Sequence, residues 1–218
     1  MKWHFILASA SPRRRELLRQ IGAEFQVLPA KGEEVITSTE PAQVVLELSM
    51  QKAKETAEHV RRFGTKGIRE EGCFLPEEEK RKSEKFLILG ADTVVALEGE
   101  ILGKPKDQAD AVRMLQRLSG STHSVFTGVT LILQKPESEE MISFFEETKV
   151  FMHKITDREI EAYVKTGEPL DKAGAYGIQG RFAAFIRGIE GSYTNVMGLP
   201  AGRLYQELKE LMRGGQDD

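Results

Sequence analysis

The chain has 218 residues, 40% of them hydrophobic and 30% charged, with a net charge of −3 at neutral pH and a pI of about 5.9. Such a length buries a substantial core, as one large domain or two closely joined lobes, while the mild acidity argues against nonspecific nucleic-acid binding through a broad basic surface. One cysteine, Cys73, excludes an intramolecular disulfide and a cysteine-based zinc site. No run is apolar enough to span a bilayer and the N-terminal apolar run is too short for a signal peptide, so a reducing, cytoplasmic location is expected.

In chain order, Phe5-Ile6-Leu7 reads as a buried strand that breaks into small residues and then a helix start bearing Arg13, Arg14 and Arg15. Ser11 suits the N-cap and Pro12 the first helical position. Leu17, Leu18 and Ile21 supply an apolar face before Gly22. Free N–H groups, the positive helix end, hydroxyls and guanidinium groups then share one turn, which is the chemistry of a phosphate site. Adjacent helical residues diverge, so one of the three arginines is expected to be solvated.

Phe25 to Leu28 reads as a second strand, Lys31-Gly32-Glu33-Glu34 as a polar loop, and the residues after Pro41 as a helix with Val44, Val45, Leu48 and Ala53 on its apolar side. Lys52 and Lys54 lie two apart on it, so at most one faces a site. Residues 63–85 are interrupted by glycines and Pro76 and carry the charge run Glu77 to Lys82; a surface excursion without chemistry is expected there.

Phe86 to Leu97 gives the strongest strand signal, with Glu98-Gly99-Glu100 as a turn into Ile101-Leu102. Asp107 caps a helix through Leu118 that Gly120 ends. Strands are expected from Val125 to Leu133 and Ile142 to Met152, then a helix to Val164 opened by the capping box Thr156-Asp157-Arg158-Glu159. A strand at Ala183 to Ile186, a turn at Gly188 to Gly191, and a final helix after Gly198-Leu199-Pro200 complete an alternating pattern that favours an α/β fold.

Asp92 interrupts its apolar strand, where a carboxylate is costly unless metal, cation or solvent meets it. A base or metal ligand at a strand end fits that placement; a cap on a neighbouring turn is the plainer alternative. Lys104, between Gly103 and Pro105, can reach a phosphate as a point charge or sit solvated. Glu33 and Glu34 gain weight only beside Asp92, because Mg²⁺ or Mn²⁺ takes oxygen ligands together with substrate phosphates. Gln179, in the small-residue run Asp171 to Gly180, offers both a donor and an acceptor to a base edge. There is no GxxxxGK[ST] loop, no GxSxG elbow, and His4, His59, His123 and His153 lack ligand spacing, which favours attack by water over a covalent intermediate.

The chain resembles the Maf family of nucleoside triphosphate pyrophosphatases. The matching pieces are Ser9 to Arg14, Lys52-Ala53, Gly90 to Val95, Gly103-Lys104-Pro105, Ser119-Gly120 with His123-Ser124-Val125 and Thr127-Gly128, Asp171 to Gly180, and Gly198-Leu199-Pro200, in family order over nearly the whole chain except 63–85. The resemblance implies one domain over 1–218 with a surface insertion at 63–85, built as an α/β fold. Its long twisted mixed sheet is flanked by helices, in two lobes with a central cleft, like inosine triphosphate pyrophosphatase. It implies hydrolysis of a nucleoside triphosphate to the monophosphate and pyrophosphate with a divalent cation (Mg or Mn), Asp92 activating water, Ser9, Arg14, Lys52 and Lys104 holding phosphates, and Glu33 or Glu34 placing the metal with Asp92. Arg13, Thr93 and Gln179 match the branch that acts on dTTP and UTP. A 7-methyl-GTP pyrophosphatase and a nucleotide-binding regulator of septum formation are the rival readings, and the family analogy makes a homodimer plausible.

Overall fold

A computed structural model describes residues 3–64 and 85–214. The excursion at 63–85, with Cys73, lies outside the described residues apart from its ends. Among the described residues seven strands form one mixed sheet in the order β2-β1-β3-β5-β6-β7, with β4 paired to β3. They are β1 (Trp3–Leu7), β2 (Gln26–Val27), β3 (Lys85–Leu97), β4 (Glu100–Leu102), β5 (Thr122–Gln134), β6 (Glu139–Met152) and β7 (Ile186–Glu190). The helices are α1 (Pro12–Gln20), α2 (Pro41–Phe63), α3 (Gln108–Leu118), α4 (Asp157–Val164), α5 (Tyr193–Val196) and α6 (Ala201–Gly214). Among the described residues no helix is long and apolar enough to cross a membrane.

The chain divides into two units. Unit one comprises Met1–Thr37, Gln43–Asp92 and Gly128–Phe145. Its core joins Ile6 and Ala8 with Phe86 and Ile88 of the sheet, Ile132 of β5, and Ala53, Ala57 and Val60 of α2. β1 runs parallel to β3 in the register Leu7↔Leu89 and parallel to β2 with Leu7↔Val27. The helix α2 comes unusually close to the strands, because glycine stands where a side chain would collide. A Cβ at Gly90 would lie 2.2 Å from the carbonyl oxygen of Ser49, and one at Gly128 would lie 2.2 Å from that of Val45.

Unit two comprises Ser38–Ala42, Thr93–Thr127 and Glu146–Asp218. Its core gathers Val95, Leu97, Leu115, Leu118, Val150, Ile160, Tyr163, Tyr176 and Phe182. β3 turns into β4 through Glu98 and Gly99, both at positive φ (52° and 82°). That is the pair of left-handed residues a two-residue hairpin with right-twisted strands demands. The capping box at Thr156 and Glu159 forms as the sequence indicates. His123 is buried with its Nε2 2.8 Å from the Tyr176 hydroxyl and its ring edge-on to that of Tyr176.

Two sequence expectations fail together in this unit. Gly180–Phe185 is a 3₁₀ turn rather than the start of a strand. Residues three apart eclipse on such a turn, so Phe182 and Phe185 lie on one side with ring centroids 5.2 Å apart, and Phe182 also packs 4.8 Å from Tyr163 and 5.0 Å from Tyr176. Aromatic packing outweighs the extended preference of the run. The strand begins only at Ile186, and Gly188 to Glu190, read as a turn, pair with β6 in the register Phe151↔Gly188 and Lys149↔Glu190. The chain turns at Gly191 instead, where a Cβ would meet Thr148 Oγ1 at 2.8 Å. The short α5 after it was not read from the sequence.

Replacing Gly90 by Ala forces α2 off β3. Overpacking of this kind costs about 1–3 kcal/mol or more, and thermal unfolding should begin several degrees lower, whereas an unchanged melting temperature would mean that the helix yields freely. Burial also lowers the His123 pKa from 6.5 to about 4. Between those values the unfolded chain binds a proton that the folded protein refuses, so stability falls as the pH drops through that window. The loss reaches about 3 kcal/mol at pH 4. Urea unfolding at pH 7 and pH 4 should show a dependence shallower by that amount in His123→Phe than in the wild type.

Candidate active site

The parallel register Leu7↔Leu89 carries β1 and β3 to the same end of unit one. The backbone N–H of Ala8 still donates to Leu89 O at 2.8 Å, after which β1 gives way to the turn that opens α1. β3 does not end there: it runs on through Asp92 to Leu97, so Asp92 lies within the strand rather than at its end as the sequence suggests, just beyond the level at which β1 stops. Ligands of open α/β sheets gather outside carboxyl ends such as that of β1.

The turn is built as the sequence indicates. Ser11 caps α1, accepting from the Arg14 N–H, and Pro12 occupies the first turn. The buried Ser9 hydroxyl accepts from the Ser11 N–H at 3.3 Å and from Arg14 Nη1 at 3.0 Å. Of the three arginines, Arg14 turns inward. Burial lowers its pKa, Asp92 and Glu34 raise it, and Arg13 lowers it further. Arg15 reaches back to the carbonyl of Ala10 at 3.0 Å, so it holds the turn. Arg13 is half-buried.

From α2, Lys52 extends its ammonium between two carboxylates. It pairs with Glu34 at 2.9 Å and with Asp92, whose side chain is 16% exposed. Lys54 stays exposed, which settles which of the two lysines faces the cluster. Ser9, Arg14, Glu34, Lys52 and Asp92 thus form one constellation within unit one. Glu33 is exposed and makes no ion pair among the described residues. Coulombic attraction between groups a few ångströms apart at partial burial is worth several times its value in water, and here two cations and two carboxylates balance one another.

No three His, Cys, Asp or Glu side chains among the described residues come together as a metal cluster. Two neighbouring carboxylates are nevertheless the donor set that suits Mg²⁺ or Mn²⁺ when phosphate oxygens and water complete the shell. Glu34 and Asp92 are the two side chains that could supply such oxygens here.

The remaining predicted residues belong to unit two. The Thr93 hydroxyl lies 2.9 Å from that of Thr127, which donates to Asn195 O at 3.0 Å, and 3.5 Å from the carbonyl of Gly198. Lys104 is exposed, and the carbonyl beside it, of Gly103, accepts from the Gly174 N–H at 3.0 Å. Gln179 is half-buried and precedes the 3₁₀ turn that places Phe182. Lys172 is spent on Asp171 at 2.6 Å and on the Glu168 carbonyl at 2.7 Å. Sequence reasoning gave Thr127 a place in the family motifs but no role, and passed over Asn195 and also Glu47, Gln51 and Glu55 on α2, whose spacing of four was the available signal.

The sequence model of the Maf-like protein family matches residues 4–211. A protein of Agathobacter rectalis named dTTP/UTP pyrophosphatase is 56% identical over 207 residues, covering 94% of this chain and 96% of the relative. Proteins with the same name from Carboxydothermus hydrogenoformans and Lachnoclostridium phytofermentans are 46% and 44% identical, over 94% and 95% of this chain and 96% and 95% of their own lengths. The motifs at Ser9 to Arg14, Lys52, Gly90 to Val95 and Gly103 to Pro105 all fall inside the matched span, and the chain belongs to the Maf-like protein family.

Proposed function

We propose that this chain is a pyrophosphatase that hydrolyses dTTP and UTP to the nucleoside monophosphate and pyrophosphate. The observation that carries the reading is the meeting, within unit one, of a phosphate-type helix turn (Ser9, Arg14) with an isolated strand carboxylate, Asp92, through Lys52. The name shared by the relatives supports the same substrates.

A triphosphate tail carries several negative charges, and Arg14, Lys52 and the Ser9 hydroxyl supply donors for them. Lys104 is assigned to the same polyanion. Such donors act most strongly on charge that develops in the transition state. Asp92 orients a water and takes its proton as the water oxygen bonds to the α-phosphorus. The bond from that phosphorus to its bridging oxygen breaks, and its electron pair leaves with pyrophosphate. Glu34 and Asp92 would hold a divalent cation, Mg or Mn, which when bound would neutralise phosphate charge. Arg13, Thr93 and Gln179 sort the base. The reading takes 1–218 as one catalytic domain with an insertion at 63–85, working in the cytoplasm apart from nucleic acid and membrane, with a homodimer as its expected assembly.

Purified protein with Mn²⁺ and dTTP, UTP, CTP or 7-methyl-GTP should release pyrophosphate fastest from dTTP and UTP. A preference for the methylated purine would defeat the assignment of Arg13, Thr93 and Gln179, and binding without turnover would make the chain a regulator instead. Asp92→Asn should keep the wild-type melting temperature and lose at least about 10²-fold in kcat, the lower end of general-base contributions; near-normal turnover would remove Asp92 from the role. Lys52→Met should lose roughly 10²-fold or more in kcat/KM, while Lys54→Met, exposed on the same helix, should lose nothing measurable.

A further inference from the structure

Residues 31–37 have no regular secondary structure and are exposed, and among the described residues no backbone–backbone hydrogen bond holds them. They are nonetheless tied down, by side chains at successive fours along α2. The Glu55 carboxylate accepts from the N–H groups of Lys31 and Gly32, at 2.7 and 2.9 Å. The Gln51 carboxamide accepts from the Val35 N–H at 2.9 Å and donates to the Val35 carbonyl, pairing with both backbone groups as a neighbouring strand would. Glu47 accepts from the Thr37 N–H at 2.9 Å and from the Thr37 hydroxyl at 2.6 Å. Gly32 is shaped to this grip, since a Cβ there would sit 2.7 Å from Glu55 Oε2.

The spacing of the grips has a geometric consequence. Four residues of helix advance about 6 Å, and two residues of extended chain about 6.6 Å, so the step from Val35 to Thr37 matches the step from Gln51 to Glu47. The step from Gly32 to Val35 spans three residues, about 10 Å of extended chain, against the same 6 Å of helix from Glu55 to Gln51. The longer step holds Glu33 and Glu34, which no grip fastens directly. Glu34 is the one that reaches Lys52.

We infer that Glu47, Gln51 and Glu55 are positioning residues that lash residues 31–37 to α2 so that Glu34, rather than Glu33, meets Lys52 beside Asp92. The inference rests on the reading of Glu34 as a cation-holding acid only for its effect on metal affinity; the lashing itself stands without it. Residues that orient a ligating group typically change metal affinity or activity by about 10–100-fold when removed.

Amide hydrogen exchange of the wild-type protein should show Lys31, Gly32, Val35 and Thr37 protected although they lie in a loop. Glu55→Ala should release Lys31 and Gly32, Gln51→Ala should release Val35, and both variants should keep the wild-type melting temperature. Electron paramagnetic resonance titration of Mn²⁺ in the presence of a non-hydrolysable UTP analogue should show about 10-fold weaker binding in each. In turnover assays the half-saturating Mn²⁺ concentration should rise by the same factor, with kcat at saturating metal largely kept. Unprotected amides in the wild type, or unchanged Mn²⁺ binding once the amides are released, would overturn the inference. Absence of UMP from the wild type would instead count against the pyrophosphatase reading and leave the exchange result to decide the lashing.

Discussion

The contact on which unit one depends is that of a helix backbone against two strands. α2 lies with the carbonyl oxygens of Ser49 and Val45 where Cβ atoms of Gly90 and Gly128 would be. Interiors are packed too tightly to absorb a displaced helix without cost, so this approach fixes both the height and the rotation of α2. Everything chemical on the helix inherits that placement. Lys52 lies three residues on from Ser49 and meets Asp92, two residues on from Gly90. Gln51 and Glu55 face the segment that bears Glu34. One glycine-lined seam therefore sets the position of a cation and, through the loop it carries, of a second acid.

The electrostatic character of the cluster follows. An ammonium shared between Asp92 and Glu34, with the Arg14 guanidinium near enough to feel both, leaves unit one with a site whose charges satisfy each other. In the proposed reaction a polyanion would offer Lys52 and Arg14 new partners and leave the carboxylates to a cation and a water. Charge already held in place costs little reorganisation during reaction, which is the general basis of electrostatic catalysis.

What could be read from the sequence was whatever clashes with its surroundings or obeys a local rule. Asp92 was legible because a carboxylate inside an apolar strand needs a reason, and the start of α1 because Ser11 and Pro12 are cap chemistry. The capping box at Thr156 and the hairpin at Glu98-Gly99 were legible on the same ground. The 3₁₀ turn at Gly180–Phe185 was not, because its cause is the packing of Phe182 among Tyr163, Tyr176 and Phe185, which come together only once α4, the loop after it and β7 are assembled. Choosing between Glu33 and Glu34, or between Lys52 and Lys54, likewise required the register of a loop against a helix.

Glu47, Gln51 and Glu55 show the limit most plainly. On a helical projection they form the polar stripe of an amphipathic helix, and a polar stripe ordinarily faces water. Nothing in their own neighbourhood conflicts with that, and exposed charges spaced four apart on a helix are usually worth little. Their significance lies in what runs alongside: a segment whose amides have no other partner among the described residues, and which would be left to water and to many conformations if the stripe were apolar or short. Ordering it costs conformational entropy at every residue, and charge-assisted hydrogen bonds from a rigid helix are among the stronger polar interactions available to offset that cost. A surface that reads as solvated is thus the scaffold for the acid beside Lys52, and the loop that bears it is ordered by a helix face rather than by its own sequence.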